Sequence, residues 1–186
     1  MFCQAYGESS LDAALLLLPM QGLPVPSALL RNTTDAVARD HGVEDLVYRH
    51  PTAEGGRAEG AFLACSFWLV DALLADDRGD EATTLFEQLV ARANDVGLYL
   101  EEIDAATGAF LGNFPQALTH LGLVGSAVNL ALYKKGGVAL LSGSYADRAR
   151  RSVGATFGWR AVLAAWRRNP RMFKLFSSRH SKLLKV

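Results

Sequence analysis

Residues Ala61 to Asp76 read AFLACSFWLVDALLAD, a run that is apolar around nearly the whole circumference of a helix. A helix without a polar face has to be covered by neighbours on all sides, so this run predicts a helix of an inner layer. The next helical pattern, Glu81 to Asn94, repeats apolar residues at i, i+3, i+4, i+7, i+8 and i+11 with charged residues opposite. That spacing is typical of an outer helix with one solvent face.

The alternation continues on both sides of this pair. Gly79 suits the C-cap of the inner helix, and a long loop later leads to Pro115, which suits a first helical turn. A second segment that is apolar almost all round follows Pro115. Upstream, Ser10 to Leu18 predicts another buried helix that breaks at Pro19, and Ala28 to Asp40 predicts an amphipathic one.

Almost no extended period-two pattern of apolar residues is present, so we expect an all-α fold. Buried and amphipathic helices in alternation suggest a two-layer helical ring or solenoid, in which each hairpin covers the apolar face of its neighbour. The ring needs more hairpins than this chain supplies, which would leave an open edge. A compact bundle around one central hydrophobic helix is the alternative.

Charge is divided unevenly along the chain. Residues 1–146 contain eight Lys/Arg and eighteen Asp/Glu, whereas residues 147–186 contain eleven Lys/Arg and one Asp. Within the basic tail, Ala155 to Arg168 predicts a short amphipathic helix. The tail could fold back on the acidic body, lie on anionic lipid, bind nucleic acid, or be unselected sequence.

Other features narrow the class of protein. Cys3 and Cys65 lie far apart, and the apolar surroundings of Cys65 predict a buried, reduced thiol, so we expect a cytoplasmic protein. No basic residue precedes the apolar stretch Leu11 to Leu18, and the longest apolar run is too short to span a membrane. The histidines lack metal-ligand spacing and no nucleotide-binding motif occurs, so we expect neither a metal site nor a cofactor.

The long loop carries three carboxylates within four residues: Glu101, Glu102 and Asp104. Apolar neighbours such as Leu100 and Ile103 raise the cost of ionising whichever carboxylate is most desolvated. Two carboxylates in different environments can serve acid–base chemistry, but an ordinary solvated acidic loop has the same composition.

Five strings in order give a more specific indication: SLDAALLLLP, LVYRH, EGAFLACSFWLVDALL, EATTLFEQLVARANDVGLYLEEIDAATG and LGNFPQALTHLGLV. They resemble the C-terminal part of the catalytic domain of glycoside hydrolase family 15, the family of glucoamylases, glucodextranases and bacterial trehalases. The resemblance runs from about Phe2 to about Leu132. It implies an incomplete (α/α)6 toroid over residues 1–135, followed by an extension over residues 136–186.

The resemblance also implies an activity and its residues. Family members cleave α-glucosidic bonds with inversion, using one glutamate as general acid and another as general base. Gly97 to Glu102 matches the motif of the base, which implies that Glu101 activates water and that the neighbouring Glu102 binds substrate. Arg49 matches an arginine that binds sugar hydroxyls, with His50 in place of the usual tyrosine.

Two further positions match residues that shape the family's sugar pocket. They are Glu59 and Phe62, although a helix N-terminus and a core aromatic would explain them as well. Trp68, in the middle of an apolar helix, is expected in the core rather than under a sugar.

The family's general acid follows a tryptophan in a Trp-Glu pair. Trp68, Trp159 and Trp166 are followed by Leu, Arg and Arg, so no such pair occurs here. We therefore expect a truncated or split relative that is a weak hydrolase of α-glucosides by itself, with the missing N-terminal half of the toroid as a possible partner. The rival expectation is a non-catalytic remnant or interaction module whose exposed helical edge binds a partner chain.

Overall fold

The computed structural model describes residues 1–50 and 59–156, and they are mostly helical, as expected. In this part of the chain the α-helices are α1 (Ser27–His41), α2 (Leu63–Ala75), α3 (Gly79–Val90), α4 (Ala117–Gly136) and α5 (Tyr145–Thr156). A 3₁₀ helix, Ala13–Gln21, precedes α1, and a second one, Val138–Leu141, lies between α4 and α5. Residues up to Arg148 form one compact unit, and a second unit begins at Ala149.

Short antiparallel strands connect the helices. A hairpin is formed by β1 (Gly42–Val43) and β2 (Leu46–Val47), and a three-stranded sheet is formed in spatial order by β3 (Ala61–Phe62), β4 (Glu102–Ile103) and β5 (Phe110–Leu111). The sequence does not predict these strands, because two residues are too few to show a period-two pattern. They matter because β3 and β4 pair the start of α2 with the acidic loop, with Phe62 opposite Glu102.

Helix α2 is the centre of the compact unit, as its apolar circumference predicts. Ten of its residues are buried, and it packs against α3, α4 and the first 3₁₀ helix. The side chain of Phe67 is fully buried and meets the rings of Phe86 and Tyr99 edge to face, with centroids 6.3 and 5.9 Å apart. Burial of its large apolar side chains contributes about 1.5 to 3 kcal/mol each to stability.

The turn between α2 and α3 differs from the prediction. Gly79 is not the C-cap of α2; it is the first residue of α3, and the left-handed residue of the turn is Asp77, with φ of 62°. A Cβ at 79 would lie 2.1 Å from a ring carbon of Tyr133, so a larger residue there would require the Tyr133 ring to move. The Tyr133 hydroxyl donates to Asp77 at 2.7 Å, which joins this turn to α4.

The first buried helix also differs in type. Its residues form a 3₁₀ helix that continues through Pro19 instead of breaking there. Asp12 caps it by accepting a hydrogen bond from the Ala14 amide at 2.7 Å, and Gly22 ends it in the left-handed conformation. Proline is tolerated near the end of this short helix, because its missing N–H removes at most one backbone hydrogen bond.

No helix of the described residues is both long and apolar enough to cross a membrane. Most of the amphipathic helix predicted for Ala155 to Arg168, like the basic segment after it, lies outside the described residues.

Candidate active site

The acidic loop is held against α2 and the segment before α4 by its backbone. The amide of Glu101 donates to the Asn113 carbonyl, and its carbonyl accepts from the Leu63 amide, both at 3.0 Å. These two bonds extend the β3–β4–β5 sheet by one position. Glu101 therefore has a defined backbone position although it lies in a loop.

The Glu101 side chain is half-buried and held through one oxygen. Oε2 accepts from the Asn113 backbone amide at 3.0 Å and from its side-chain Nδ2 at 2.9 Å. Gly112 makes room for this contact, because a Cβ at that position would lie 2.8 Å from Oε2. Among the described residues, no hydrogen bond to Oε1 is found.

Glu102 is bound differently. Its Oε2 accepts a hydrogen bond from the Gly60 amide at 2.9 Å, which ties β4 to the residue before β3. Both glycine and glutamate contribute to this contact, since a Cβ at Gly60 would lie 2.9 Å from the Ile103 carbonyl oxygen. The carboxylate of Glu102 thus secures the sheet on which Phe62 and Glu101 are placed.

A cavity of about 470 Å³ opens beside this sheet. Arg49 and Phe62, two of the residues proposed from the sequence, lie in its wall. The remaining lining combines polar and apolar side chains: Gln4, Asp12, Ala14, Leu15, Cys65, Trp68 and Leu118. Its volume is within the range of small-molecule pockets, and a mostly apolar wall with a few polar groups is typical of such pockets.

Arg49 reaches the cavity through the β1–β2 hairpin. The Val47 amide donates to the buried Ser66 hydroxyl of α2 at 2.9 Å, and the Ala13 amide donates to the Arg49 carbonyl at 3.1 Å. These two bonds hold the backbone at the end of the hairpin, and the Arg49 side chain is exposed. Arg49 is therefore a positive group on a rigid base, in reach of a bound ligand.

The opposite charge in the wall is Asp12. One of its oxygens caps the first 3₁₀ helix, and the other lies 3.7 Å from Nδ1 of His50, which is exposed. Cys65 lies behind them, and burial raises the pKa of its thiol to about 12, so it remains protonated and unreactive. In the part of the chain described, no group of three or more His, Cys, Asp or Glu side chains is arranged to hold a metal ion.

The structure places two of the five proposed residues, Arg49 and Phe62, in the cavity wall. Glu101 and Glu102 are not among the residues that line this cavity; Glu102 pairs with Phe62 across β3 and β4, and Glu101 is the residue before it. Glu59 is exposed, next to residues 51–58, which lie outside the described part of the chain.

Three residues of the site were not selected by the sequence motifs. Asn113 holds Glu101, Asp12 supplies the negative charge of the wall, and Trp68 is half-buried and lines the cavity instead of lying wholly in the core. The position of Asp12 just before a helical run is a capping signal, which explains one of its oxygens but not the other.

Comparisons with known proteins agree with the motifs. Residues 1–128 match the model of glycosyl hydrolases family 15. The chain is 42% identical over 134 residues to a trehalase of Mycobacterium tuberculosis, a match that covers 69% of this chain and 20% of that protein. It is 38% identical over 139 residues to a trehalase of Thermoplasma volcanium, with 72% and 22% covered.

A trehalase of Mycolicibacterium smegmatis is 42% identical over 132 residues, which cover 68% of this chain and 20% of the relative. The chain thus spans about a fifth of the length of the curated relatives it matches. No solved structure matches it. The family expected from the motifs is confirmed: the chain belongs to glycosyl hydrolase family 15.

Proposed function

We propose that this chain carries the water-activating side of an inverting glycoside hydrolase site for α-linked glucosides of the trehalose type. The observation that supports it best is the Glu101 carboxylate, whose Oε2 takes two hydrogen bonds from Asn113 while Oε1 takes none from the described residues. A carboxylate oriented through one oxygen can use the other to accept a proton from water as that water attacks the sugar.

The cavity beside β3 supplies the substrate contacts in this proposal. Arg49 would donate hydrogen bonds to sugar hydroxyls, and Phe62 and Trp68 would pack against the apolar C–H faces of the ring. Asp12 would accept from a hydroxyl on the opposite side. Glu102 would act on substrate through the sheet it secures, since its Oε2 is bound to the Gly60 amide.

The sequence has no Trp-Glu pair, which carries the general acid in the family. Without an acid to protonate the leaving oxygen, general acid catalysis of roughly 10² to 10⁴-fold is lost for substrates with a poor leaving group. Hydrolysis of trehalose by this chain alone should therefore be very slow, even with Glu101 and the cavity in place.

A substrate with a good leaving group isolates the step assigned to Glu101. We expect the full chain to hydrolyse α-glucosyl fluoride faster than buffer does, because fluoride departs without protonation, and to release β-glucose. Glu101→Gln should lower this rate by about 10² to 10⁴-fold, since the amide cannot accept the proton of water. Fluoride release gives the rate, and proton NMR identifies the first anomer formed.

Glu87→Gln is the matched control, because Glu87 is an exposed carboxylate on α3. It should leave the rate unchanged. Equal rates for the chain, Glu101→Gln and buffer would contradict the proposal, as would release of the α-anomer, which requires retention instead of inversion.

The second candidate is an interaction module, and the outer face of α4 favours it. Leu121 and Val124 are 69% and 60% exposed, on a helix that also packs against α2. In the toroid proposed for the family domain, this face would meet a further helical hairpin. The occupant we propose is a polypeptide that carries the remaining hairpins of the family-15 ring.

A further inference from the structure

The backbone of the loop before Glu101 is held by the beginning of α4. The amide of Gln116, the residue before α4, donates to the Tyr99 carbonyl at 2.9 Å, and the buried Thr119 hydroxyl donates to the Leu100 carbonyl at 3.0 Å. The Tyr99 amide is held by the same helix. It donates to Nε2 of His120 at 3.3 Å.

This contact determines the protonation of the His120 ring. A backbone amide can only donate, so Nε2 has to be an acceptor without a proton. Nδ1 lies 2.7 Å from the carbonyl oxygen of Gln116, which can only accept, so Nδ1 has to carry the proton. Both contacts are satisfied together only by a neutral imidazole with its proton on Nδ1.

The ring is also held by packing. It meets the ring of Tyr99 edge to face with centroids 5.5 Å apart, and the Tyr99 hydroxyl donates to the Val90 carbonyl at the end of α3 at 3.2 Å. Tyr99 is 2% exposed. His120 therefore joins α4 to a buried point of the loop only two residues before Glu101.

We propose that His120, as the neutral Nδ1–H tautomer, is a positioning residue for Glu101. Its Nε2 accepts a hydrogen bond from the Tyr99 amide, and this bond fixes the path of the backbone into Glu101. The inference rests on the proposed role of Glu101 for its catalytic meaning, but its structural part can be tested without any turnover.

The test compares His120→Asn and His120→Gln in the full chain. The asparagine amide reaches about as far as Nδ1 and keeps the bond to Gln116, whereas the glutamine amide reaches about as far as Nε2 and can accept from Tyr99. We expect amide hydrogen exchange at Tyr99 and Glu101 to become about tenfold faster in His120→Asn, the loss of one hydrogen bond, and to return toward the native rate in His120→Gln.

Nitrogen-15 NMR of the histidine ring provides the second readout, with a protonated Nδ1 and a bare Nε2 expected for His120. On α-glucosyl fluoride, His120→Asn should lower kcat with little change in KM, and His120→Gln should restore kcat. Ala131→Asn is the matched control, because it places the same side chain at an exposed position of α4 away from the loop. It should change neither exchange nor kcat.

A proton on Nε2, or unchanged exchange at Tyr99 in His120→Asn, would overturn the inference. A second outcome is that amide hydrogen exchange responds as expected but neither the native chain nor any variant hydrolyses α-glucosyl fluoride. In that case the positioning of the loop by His120 stands and the proposed function fails. The two failures are therefore distinguishable.

Discussion

Two buried carboxylates of this chain lie in opposite electrostatic environments. Asp45, in the β1–β2 turn, receives two hydrogen bonds from the Arg92 guanidinium, and these bonds hold the pKa of Asp45 below its usual range. Asp71, in α2, is 3% exposed, and burial raises its pKa to about 6 although Asn129, Ser126, Arg148 and Tyr145 favour its charged form. The two groups should therefore affect stability with opposite signs as the pH changes.

Replacing Asp71 with Asn should stabilise the chain increasingly as the pH rises from about 4 to about 6. The folded state binds the proton of Asp71 more tightly than the unfolded state does, so ionisation at higher pH costs the native protein stability. The gain of Asp71→Asn over the native chain should grow by on the order of 3 kcal/mol across this interval and then level off. Urea unfolding followed by circular dichroism at several pH values measures it.

Asp45→Asn is the control of opposite sign. The lowered pKa of Asp45 contributes stability that is present above the unfolded pKa and is lost as the pH falls through the folded one. Its removal should therefore cost stability at neutral pH and cost progressively less in acid. A difference between Asp71→Asn and the native chain that stays constant from pH 4 to pH 7 would refute the environment assigned to Asp71.

Residue-level motifs could predict the loop position of Glu101 but not what holds it. The Gly97 to Glu102 string places the glutamate before an inner helix, and the structure has it there. Its contact with Asn113 spans 12 residues and depends on the space that Gly112 leaves, which local spacing does not encode. Periodicity predicts Trp68 in the core, because it describes the surface of a helix and not the depth of a cavity beside it.

At the scale of elements, α2 and α4 are in close contact. A Cβ at Gly122 would lie 3.1 Å from the Cβ of Phe67, and the buried Ser126 hydroxyl, one turn further on, donates to the Phe67 carbonyl at 3.0 Å. A small residue and a hydroxyl thus let α4 approach α2 closely. A Cβ at 122 requires Phe67 or α4 to shift by a few tenths of an ångström, and a larger side chain requires more.

Gly122→Val should destabilise the chain by about 1 to 3 kcal/mol, because the added methyl groups overpack the contact with Phe67. Ala127→Val, at an exposed position of the same helix, adds a similar bulk without that contact and should cost less than about 1 kcal/mol. Thermal unfolding of both variants measures the difference. Equal melting temperatures would mean that α2 and α4 are not in close contact at Gly122.

Helices α1 to α4 could be predicted from periodicity, but α5, the 3₁₀ type of the first helix and the short strands could not. The apolar circumference of α2 and the one-sided pattern of α3 gave helices within a few residues of their bounds. The β3–β4–β5 sheet was missed because each strand has two residues, and its register depends on contacts between segments about forty positions apart. This sheet places Glu102 opposite Phe62, so the missed element organises the site.

For the whole molecule, the most unusual feature is that α4 exposes large apolar side chains to solvent. Its sequence is apolar almost all round, yet Leu121 and Val124 face solvent in the part of the chain that the structure describes. A helix with this composition is usually covered on both sides. Since the chain spans about a fifth of its curated relatives, a helical neighbour from the rest of a family-15 domain is the occupant we expect for this face.

Mixing the chain with a separately produced remainder of a family-15 trehalase domain should therefore give a complex. Leu121→Asp should weaken it about tenfold or more, because a charge would be buried against the partner helix, while the stability of the chain alone changes by less than about 0.5 kcal/mol. Lys134→Asp, at an exposed position near the end of α4, is the charged control and should bind within about threefold of the native chain. Calorimetry gives the affinities. Undiminished binding of Leu121→Asp would exclude this face as the contact, and absence of any complex would leave α4 without the partner proposed for it.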